Sequence, residues 1–364
     1  MKSVAIISEY NPFHNGHAYQ AALARTETQS DVVIAIMSGQ FTQRGEPAVI
    51  NKFRRAEMAL ESCDLIVELP QFYALSYAND FAEGGIAVAK LMQADALSFG
   101  AETPDFHSLH AAANRLFEPA VIDSGKSFAR MMGENNRDYF SPNNILAMQY
   151  IRAAEIHYPE ITIVPVQRIN NSYHDTEITS HIASATAIRK AALEHAAFDH
   201  SVPPRTMQLL AEERLTQWED FFPLLKYKLI TSSLQELRGI YMMTEGIEHR
   251  LQKMVMEADT FTEFMKLIKT KRYTYTRLQR LMCYVLLNMT QQDSYPPISG
   301  VRVLAMNDKG RQYLRELPHD QCYTVTNKKN AALFQLETKA TRLHNLISGS
   351  LQTEFNTPVI YPGT

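Results

Sequence analysis

Five short, apolar, β-rich runs punctuate the first 190 residues, at 4–7, 32–37, 65–69, 96–99 and 161–166. Helical patterns fall between them, around 18–24, 54–61, 81–91, 108–117 and 144–157, and another follows at 185–195. That alternation limits the fold more than any composition can. A chain that leaves a sheet through a helix and returns builds parallel strand pairs, so the expectation is an α/β unit with a mainly parallel sheet. In an open sheet of this kind, ligands gather at the carboxyl ends of the strands. His14 and His17 follow the first run, Ser38-Gly39-Gln40 the second, Gly100 the fourth and Arg168 the fifth.

After residue 200 the pattern changes. Ser201-Val202-Pro203-Pro204 marks a boundary, and helical patterns follow at 205–217, 221–238, 245–258, 260–268, 274–288 and 331–348. A strand signal at 300–306 and an Asp308-Lys309-Gly310 turn interrupt them. With 364 residues, more than one comfortable core, the reading is two units: 1–200, and a mainly helical 201–364. Composition excludes several alternatives. No apolar run approaches the roughly 18 residues of a membrane span, and the N-terminus enters a strand directly, without a signal peptide. Cys63, Cys283 and Cys322 lie far apart with no C-x-x-C, so neither a disulfide framework nor a thiolate zinc site is suggested. A cytoplasmic protein is expected; monomer and dimer fit the composition equally. The net charge of −3 hides an asymmetry. Residues 1–190 carry 15 Lys+Arg against 21 Asp+Glu, and the rest carry 21 against 18, so basic character sits in the second half.

The first strand runs into Asn11-Pro12-Phe13-His14-Asn15-Gly16-His17, an H-x-G-H turn that opens a helix. A strand feeding a helix N-terminus offers backbone N–H groups and the positive end of a helix dipole, which is a phosphate site before side chains are counted. Two imidazoles flanking a glycine add donors where the chain must approach a ligand closely. Ser184-Ala185-Thr186-Ala187-Ile188-Arg189 is a second signal, S-x-T-x-x-R at a helix start. Its hydroxyls can cap the helix, and Arg189 can reach a phosphate with a planar fork of donors. The segment 38–47 is rich in amides and hydroxyls that could line a polar pocket, and Lys52 and Arg55 could point at phosphates. Asn170-Asn171-Ser172-Tyr173-His174-Asp175 with His181 fits no zinc spacing. It reads instead as a loop that closes over a ligand.

In the second half Lys266, Lys269, Lys271, Arg272, Arg277 and Arg280 fall in a stretch without an acid, with Tyr273 and Tyr275 interleaved. Basic side chains supply phosphate contacts and aromatic rings stack on unpaired bases. Lys328-Lys329, Lys339 and Arg342 extend the tendency.

Together, H-x-G-H and S-x-T-x-x-R resemble the HIGH-type nucleotidyltransferase superfamily. The likeness is closer still to the tRNA(Met) cytidine acetate ligase family. Glu9-Tyr10-Asn11-Pro12-Phe13-His14-Asn15-Gly16-His17, Ser38-Gly39-Gln40-Phe41-Thr42-Gln43-Arg44-Gly45-Glu46-Pro47, Ser98-Phe99-Gly100-Ala101-Glu102 and Pro142-Asn143-Asn144-Ile145-Leu146 carry it. Tyr173-His174-Asp175, residues 184–189 and Lys271-Arg272-Tyr273-Thr274-Tyr275-Thr276-Arg277 continue it across nearly the whole chain. Two departures are mild: Gln40 stands where the family usually has asparagine, and Ala183-Ser184 where relatives often have two serines.

The resemblance implies a Rossmann-like catalytic unit followed by a helical tRNA-binding unit. The implied reaction uses ATP and acetate to acetylate the wobble cytidine of elongator tRNA(Met), through acetyl-adenylate, with release of pyrophosphate and AMP. The implied ATP site is Ile7, Ser8, Glu9, Tyr10, Asn11, Pro12, Phe13, His14, Asn15, Gly16, His17, Ala18, Tyr19 and Gln20, with Gly100, Asn143, Arg168, Ser184 and Thr186. His14, His17 and Arg189 would carry the chemistry, and Mg²⁺ would accompany ATP. Lys269, Lys271, Arg272, Tyr273, Arg277 and Arg280 would meet the anticodon arm. Two other readings cover less. A small-molecule adenylyltransferase would leave the basic helical half idle, and an RNA-binding adaptor should have lost the histidines and Arg189.

Overall fold

The computed structural model describes residues 1–116, 141–169, 181–318 and 320–362. A seven-stranded sheet in the order β5-β4-β1-β2-β3-β6-β7 organises it. β1 (Ser3–Ser8), β2 (Val32–Ser38), β3 (Leu65–Leu69), β4 (Ala96–Ala101) and β5 (Thr162–Gln167) are mutually parallel. All five expected runs are therefore strands, displaced by at most two residues.

The inner strands are apolar on both faces because both faces are covered. Along β1, Ala5 and Ile7 join a core built with the helices Ala78–Leu91, Phe106–Leu116 and Pro142–His157. Val4 and Ile6 face the opposite core, which includes residues of the helices Asn15–Thr28, Lys52–Ala59, Ala185–Leu193 and Pro204–Glu212. The chain runs β1 to β2 to β3 in one direction and places β4 and β5 on the other side, so the order reverses between β1 and β4. That reversal opens a crevice at the strands' carboxyl ends.

The strand expected at 300–306 does not stand among the helices of the second half. It is β6 (Val301–Met306), paired antiparallel to β3, and β7 (Cys322–Tyr323) pairs with it. All six β6 residues are buried; covering the β3 edge removes a row of open backbone groups. The expected turn at Asp308 is instead the first turn of a helix, Asp308–Leu314, because Asn307 caps it by accepting Gly310 N–H at 3.1 Å. The glycine there serves packing: a Cβ at Gly310 would lie 2.1 Å from the Asp64 carbonyl oxygen. The long helix expected at 221–238 is two, Trp218–Thr231 and Leu234–Arg238, because Ser233 starts a fresh capping box with Glu236.

The remaining helices, including Ile247–Val255, Phe261–Ile268, Tyr275–Leu287 and Gln335–Ser348, enclose a further core. That core also takes Phe41, Phe72 and Leu75 from the sheet side, with Phe41 edge-on to Phe221 at 5.9 Å. No described helix is long and apolar enough to cross a membrane.

His344 ties the last helix to the sheet side through its Nε2, 2.9 Å from the Ala48 carbonyl. Burial lowers its pKa to about 4, with Arg55 adding to the fall and the Ala48 contact opposing it. Between pH 6.5 and 4 the unfolded chain therefore binds more protons at this position, and stability present above 6.5 is lost as pH falls. Wild type is expected to lose roughly 2 kcal/mol more than His344→Gln between pH 7 and pH 5. Urea unfolding at the two pH values measures it; equal losses would remove His344 as the titrating group.

Candidate active site

β1 ends at Ser8, and Tyr10 takes a left-handed φ of +44° that turns the chain across the sheet's edge. Phe13 buries fully, fixing the two histidines that follow. α1 (Asn15–Thr28) then begins with an unusual cap. His14 Nδ1 accepts Gly16 N–H at 3.0 Å, and His17 Nδ1 accepts His14 N–H at 3.3 Å. The rings stack with centroids 3.7 Å apart. Gly16 is required by this packing, since a Cβ would lie 2.9 Å from His14 Cε1. One of the backbone amides expected to face a phosphate is thus occupied by the His14 ring.

The cap also sets the tautomer. With each Nδ1 accepting, each neutral imidazole carries its proton on Nε2 and is a donor there. Burial pushes the His14 pKa down to about 3, helped by the Arg168 and Arg189 guanidinium groups. Burial, His14 and Arg168 hold His17 well below the usual histidine range. Both rings are therefore uncharged donors at neutral pH.

The surrounding residues come from six chain segments. Arg189, one turn into the helix Ala185–Leu193, donates to the Asn11 carbonyl at 2.8 Å and pairs with Glu46 at 2.8 Å. Arg168 follows β5, and its Nη1 donates to Asn143 Oδ1 at 2.9 Å. Asn143 in turn donates to Glu102, which also accepts from Ser141 Oγ and Asn144 N–H. Gly100 lies near the end of β4, where, among the described residues, a Cβ would meet Arg168 Cβ at 3.9 Å. Glu9 sits at the floor, closely surrounded yet reached by solvent, accepting Gln43 N–H at 2.9 Å. Burial raises its pKa, with Arg44 opposing.

Several expected site residues are engaged elsewhere. Ser184 Oγ caps its helix by accepting Ala187 N–H, and Thr186 Oγ1 accepts from Arg189 Nη2 at 3.4 Å. Asn15 donates to the carbonyls of His181 and His200, anchoring the chain beside α1. Asn11 Oδ1 accepts Val49 N–H. Ile7 and Tyr10 are core, Ser8, Ala18 and Gln20 are half-buried, and Tyr19 is exposed. Residues 170–180, with Tyr173-His174-Asp175, lie outside the described residues. Glu46 and Glu102 escaped notice as site residues because each acts by holding an arginine or asparagine remote in sequence.

Lys52 and Arg55 do not face a phosphate site. Lys52 Nζ lies 2.6 Å from Glu68 and 2.6 Å from Glu354, wholly buried. Arg55 donates to the carbonyls of Glu9, Ser38, Gly39 and Ile50. The segment expected to line a small polar pocket is largely buried: Gln40 and Thr42 have no exposure, and residues 41–47 form a tight hairpin closed by the Phe41–Pro47 bridge.

The basic stretch divides. Lys266, Lys269, Lys271 and Arg272 are exposed, and Arg277 is half-buried. Tyr273 is only 7% exposed, its hydroxyl donating to the Thr244 carbonyl under the Arg277 guanidinium. It cannot serve as a stacking platform, whereas Tyr275, 42% exposed, can. Arg280 is 5% exposed and lies 4.1 Å over the Tyr77 ring, so it is not on the basic face at all. Among the described residues no group of three or more His, Cys, Asp or Glu could hold a metal ion. A cavity of about 280 Å³ lies at the β3–β6 edge, lined by Glu68, Phe72, Arg302 and Glu337 and not by the histidines.

Over residues 1–357 the chain matches the family described as HIGH Nucleotidyl Transferase. It is 45% identical to a tRNA(Met) cytidine acetate ligase of Staphylococcus carnosus (strain TM300), covering 99% of this chain and 98% of that protein. Identity is 44% to the protein of the same description from Staphylococcus aureus (strain JH9), covering 99% of each. Among solved structures, Thermotoga maritima TmcAL bound with alpha-thio ATP superposes with a TM-score of 0.86 at 26% identity, over 99% of both chains.

Proposed function

The chain belongs to the tRNA(Met) cytidine acetate ligase family of HIGH nucleotidyl transferases, and from that premise we propose that it uses ATP and acetate to acetylate the wobble cytidine of elongator tRNA(Met). The observation that carries the reading is the cleft at the β1–β4 reversal. There two neutral Nε2–H donors and the guanidinium groups of Arg168 and Arg189 surround the N-terminus of α1.

Acetate is a poor electrophile. An acetate oxygen attacks the α-phosphorus of ATP, the bond to the β-phosphate oxygen breaks, and pyrophosphate leaves. Charge builds on the α-phosphoryl oxygens, where fixed donors act without reorganising. His14 and His17 supply such donors without adding a positive charge, and Arg168 and Arg189 balance the phosphates. Mg²⁺ would be held by the triphosphate itself. The cytidine N4 then attacks the acetyl carbon, the carbon–oxygen bond to phosphate breaks, AMP leaves, and N4 gives up a proton. A target base in a folded anticodon loop must be turned out to reach such a cleft. The exposed Lys269, Lys271 and Arg272, with Tyr275 nearby, suit the anticodon arm. A tRNA substrate makes the cytoplasm the place of action.

Incubation with ATP, Mg²⁺, labelled acetate and total bacterial tRNA, followed by nucleoside analysis, tests the reading. ATP-dependent label in acetylcytidine of elongator tRNA(Met) is expected. Release of AMP and pyrophosphate with unlabelled tRNA would reject the acceptor. The double substitution Lys271→Ala/Arg272→Ala is expected to weaken tRNA binding and to lower the salt slope by about one per lost phosphate contact. An unchanged slope in filter binding would remove this face from the interface.

A further inference from the structure

The hairpin at residues 41–47 joins the cleft to the helical unit through the two sides of one residue. On the cleft side Gln43 N–H is donated to Glu9 Oε1 at 2.9 Å, and Glu46 pairs with Arg189 at 2.8 Å. On the helical side the Gln43 carbonyl accepts Arg280 Nη1 at 3.0 Å, and the Gly45 carbonyl accepts Trp218 Nε1 at 2.8 Å. Gly45, at φ +78°, brings its backbone so close that a Cβ would lie 2.3 Å from Arg280 N. The hairpin holds its own shape, with Thr42 N–H donated to the Glu46 carbonyl and Gly45 N–H to the Thr42 carbonyl. Its tip is therefore a rigid piece clamped between Glu9 and Arg189 on one side and Arg280 and Trp218 on the other.

We infer that Arg280 is a positioning residue for acetate activation: it holds the 41–47 hairpin so that Gln43 and Glu46 fix Glu9 and Arg189 in the cleft. A surface arginine meant for RNA would be mobile and solvated. This one is buried, flat against Tyr77 at 4.1 Å, and aimed at a backbone carbonyl. Its Nη1 bond to Gln43 is made from a guanidinium seated over the Tyr77 ring, a contact that a compact, strongly hydrated ammonium reproduces badly, so lysine is a poor replacement. A phosphate contact, by contrast, tolerates lysine well. The inference rests on the adenylate reading of the cleft.

The test is acetate-dependent ATP–pyrophosphate exchange, with and without tRNA, beside tRNA filter binding, for wild type, Arg280→Lys and Trp218→Phe. Arg280→Lys is expected to lower kcat for exchange at least tenfold, with KM for ATP and the tRNA Kd each within about threefold of wild type. On this inference Glu9 acts in the cleft as its carboxylate, so the acid limb of the pH profile is expected to move upward when Glu9 loses the Gln43 donor that stabilises that form. Trp218→Phe keeps an aromatic ring against Phe261 but removes the N–H together with the five-membered ring that carries it, so it should shift kcat and the acid limb the same way. It also serves if Arg280→Lys fails to fold. Wild-type exchange rates in Arg280→Lys with weakened tRNA binding would overturn the inference and return Arg280 to the RNA interface. A loss of kcat in both variants with an unmoved acid limb would also overturn it, as general structural damage. Absence of exchange in wild type itself would overturn the adenylate reading, a different result from either.

Discussion

Replacing His17 with alanine is expected to lower acetate-dependent ATP turnover by a factor on the order of 10²–10³, the usual cost of one fixed donor to a developing oxyanion. The effect is large because His17 has two tasks. Its Nε2–H is an uncharged donor, and its Nδ1 accepts His14 N–H, holding the partner ring in its stack. Truncation removes one donor and loosens the other. His17→Asn keeps a side-chain polar group near the start of α1 and should recover part of the loss. tRNA binding should survive in both variants, since Lys269, Lys271 and Arg272 lie in the connection between the helices Phe261–Ile268 and Tyr275–Leu287. Turnover measured as AMP release, with filter binding alongside, decides it. Normal turnover in His17→Ala would remove the imidazole pair from the chemistry and favour an RNA-binding role without catalysis.

The largest expected effect on stability is at Lys52. Its ammonium sits between Glu68 and Glu354, 2.6 Å from each, with no solvent contact. Thr341 also donates to Glu354, and Arg302 lies 4.0 Å away. Lys52→Met leaves two buried carboxylates facing each other, and removal of one member of such a group costs about 3–5 kcal/mol. Burial already pushes the Glu68 carboxyl up to about 8, with Glu354 and Glu337 adding to the rise and Lys52 opposing it. Without Lys52 the pair can be tolerated only with a proton bound, so the deficit should shrink as pH falls. Urea unfolding of Lys52→Met at pH 8 and pH 5.5 measures both parts. Lys52→Met/Glu354→Gln should recover stability, because it removes the uncompensated charge. A loss of ATP affinity without a loss of stability would instead mean that Lys52 reaches the nucleotide.

What could be read without coordinates follows the range of the interactions. The five parallel strands and the H-x-G-H turn depend on neighbours within about a dozen residues, and both stood where the pattern put them. The roles of Lys52, Arg280 and Tyr273 did not. Lys52 read as a phosphate ligand and Arg280 and Tyr273 as an RNA face, and each is buried by partners that the linear order keeps distant. Glu354 stands 302 residues beyond Lys52, and Gln43 lies 237 before Arg280. The place of β6 in the sheet hid for the same reason: a short apolar run reads as a strand but says nothing of which edge it will cover. Asp308-Lys309-Gly310 misled because glycine in a polar cluster commonly signals a turn, whereas here it admits the Asp64 carbonyl. Ser184 shows the opposite case, where the local reading as a cap was already sufficient.

The late return of the chain to the sheet governs how this protein can be made. A nascent polypeptide that has emerged only as far as residue 200 already carries β1 to β5, yet β3 still has an open edge and Lys52 lacks one of its two carboxylates. The strand that closes that edge and the backbone bond from Ile360 N–H to the Leu304 carbonyl arrive only with the final segment. Synthesis therefore passes through a long interval with an unfinished sheet exposed, the condition in which chains associate wrongly. Termination between residues 300 and 360, which removes β6 or its bond to Ile360, should give aggregates or proteolysis rather than a weakened enzyme. The histidine pair and its two arginines come from residues 14–189, yet the sheet that carries them is closed only by a strand more than a hundred residues later.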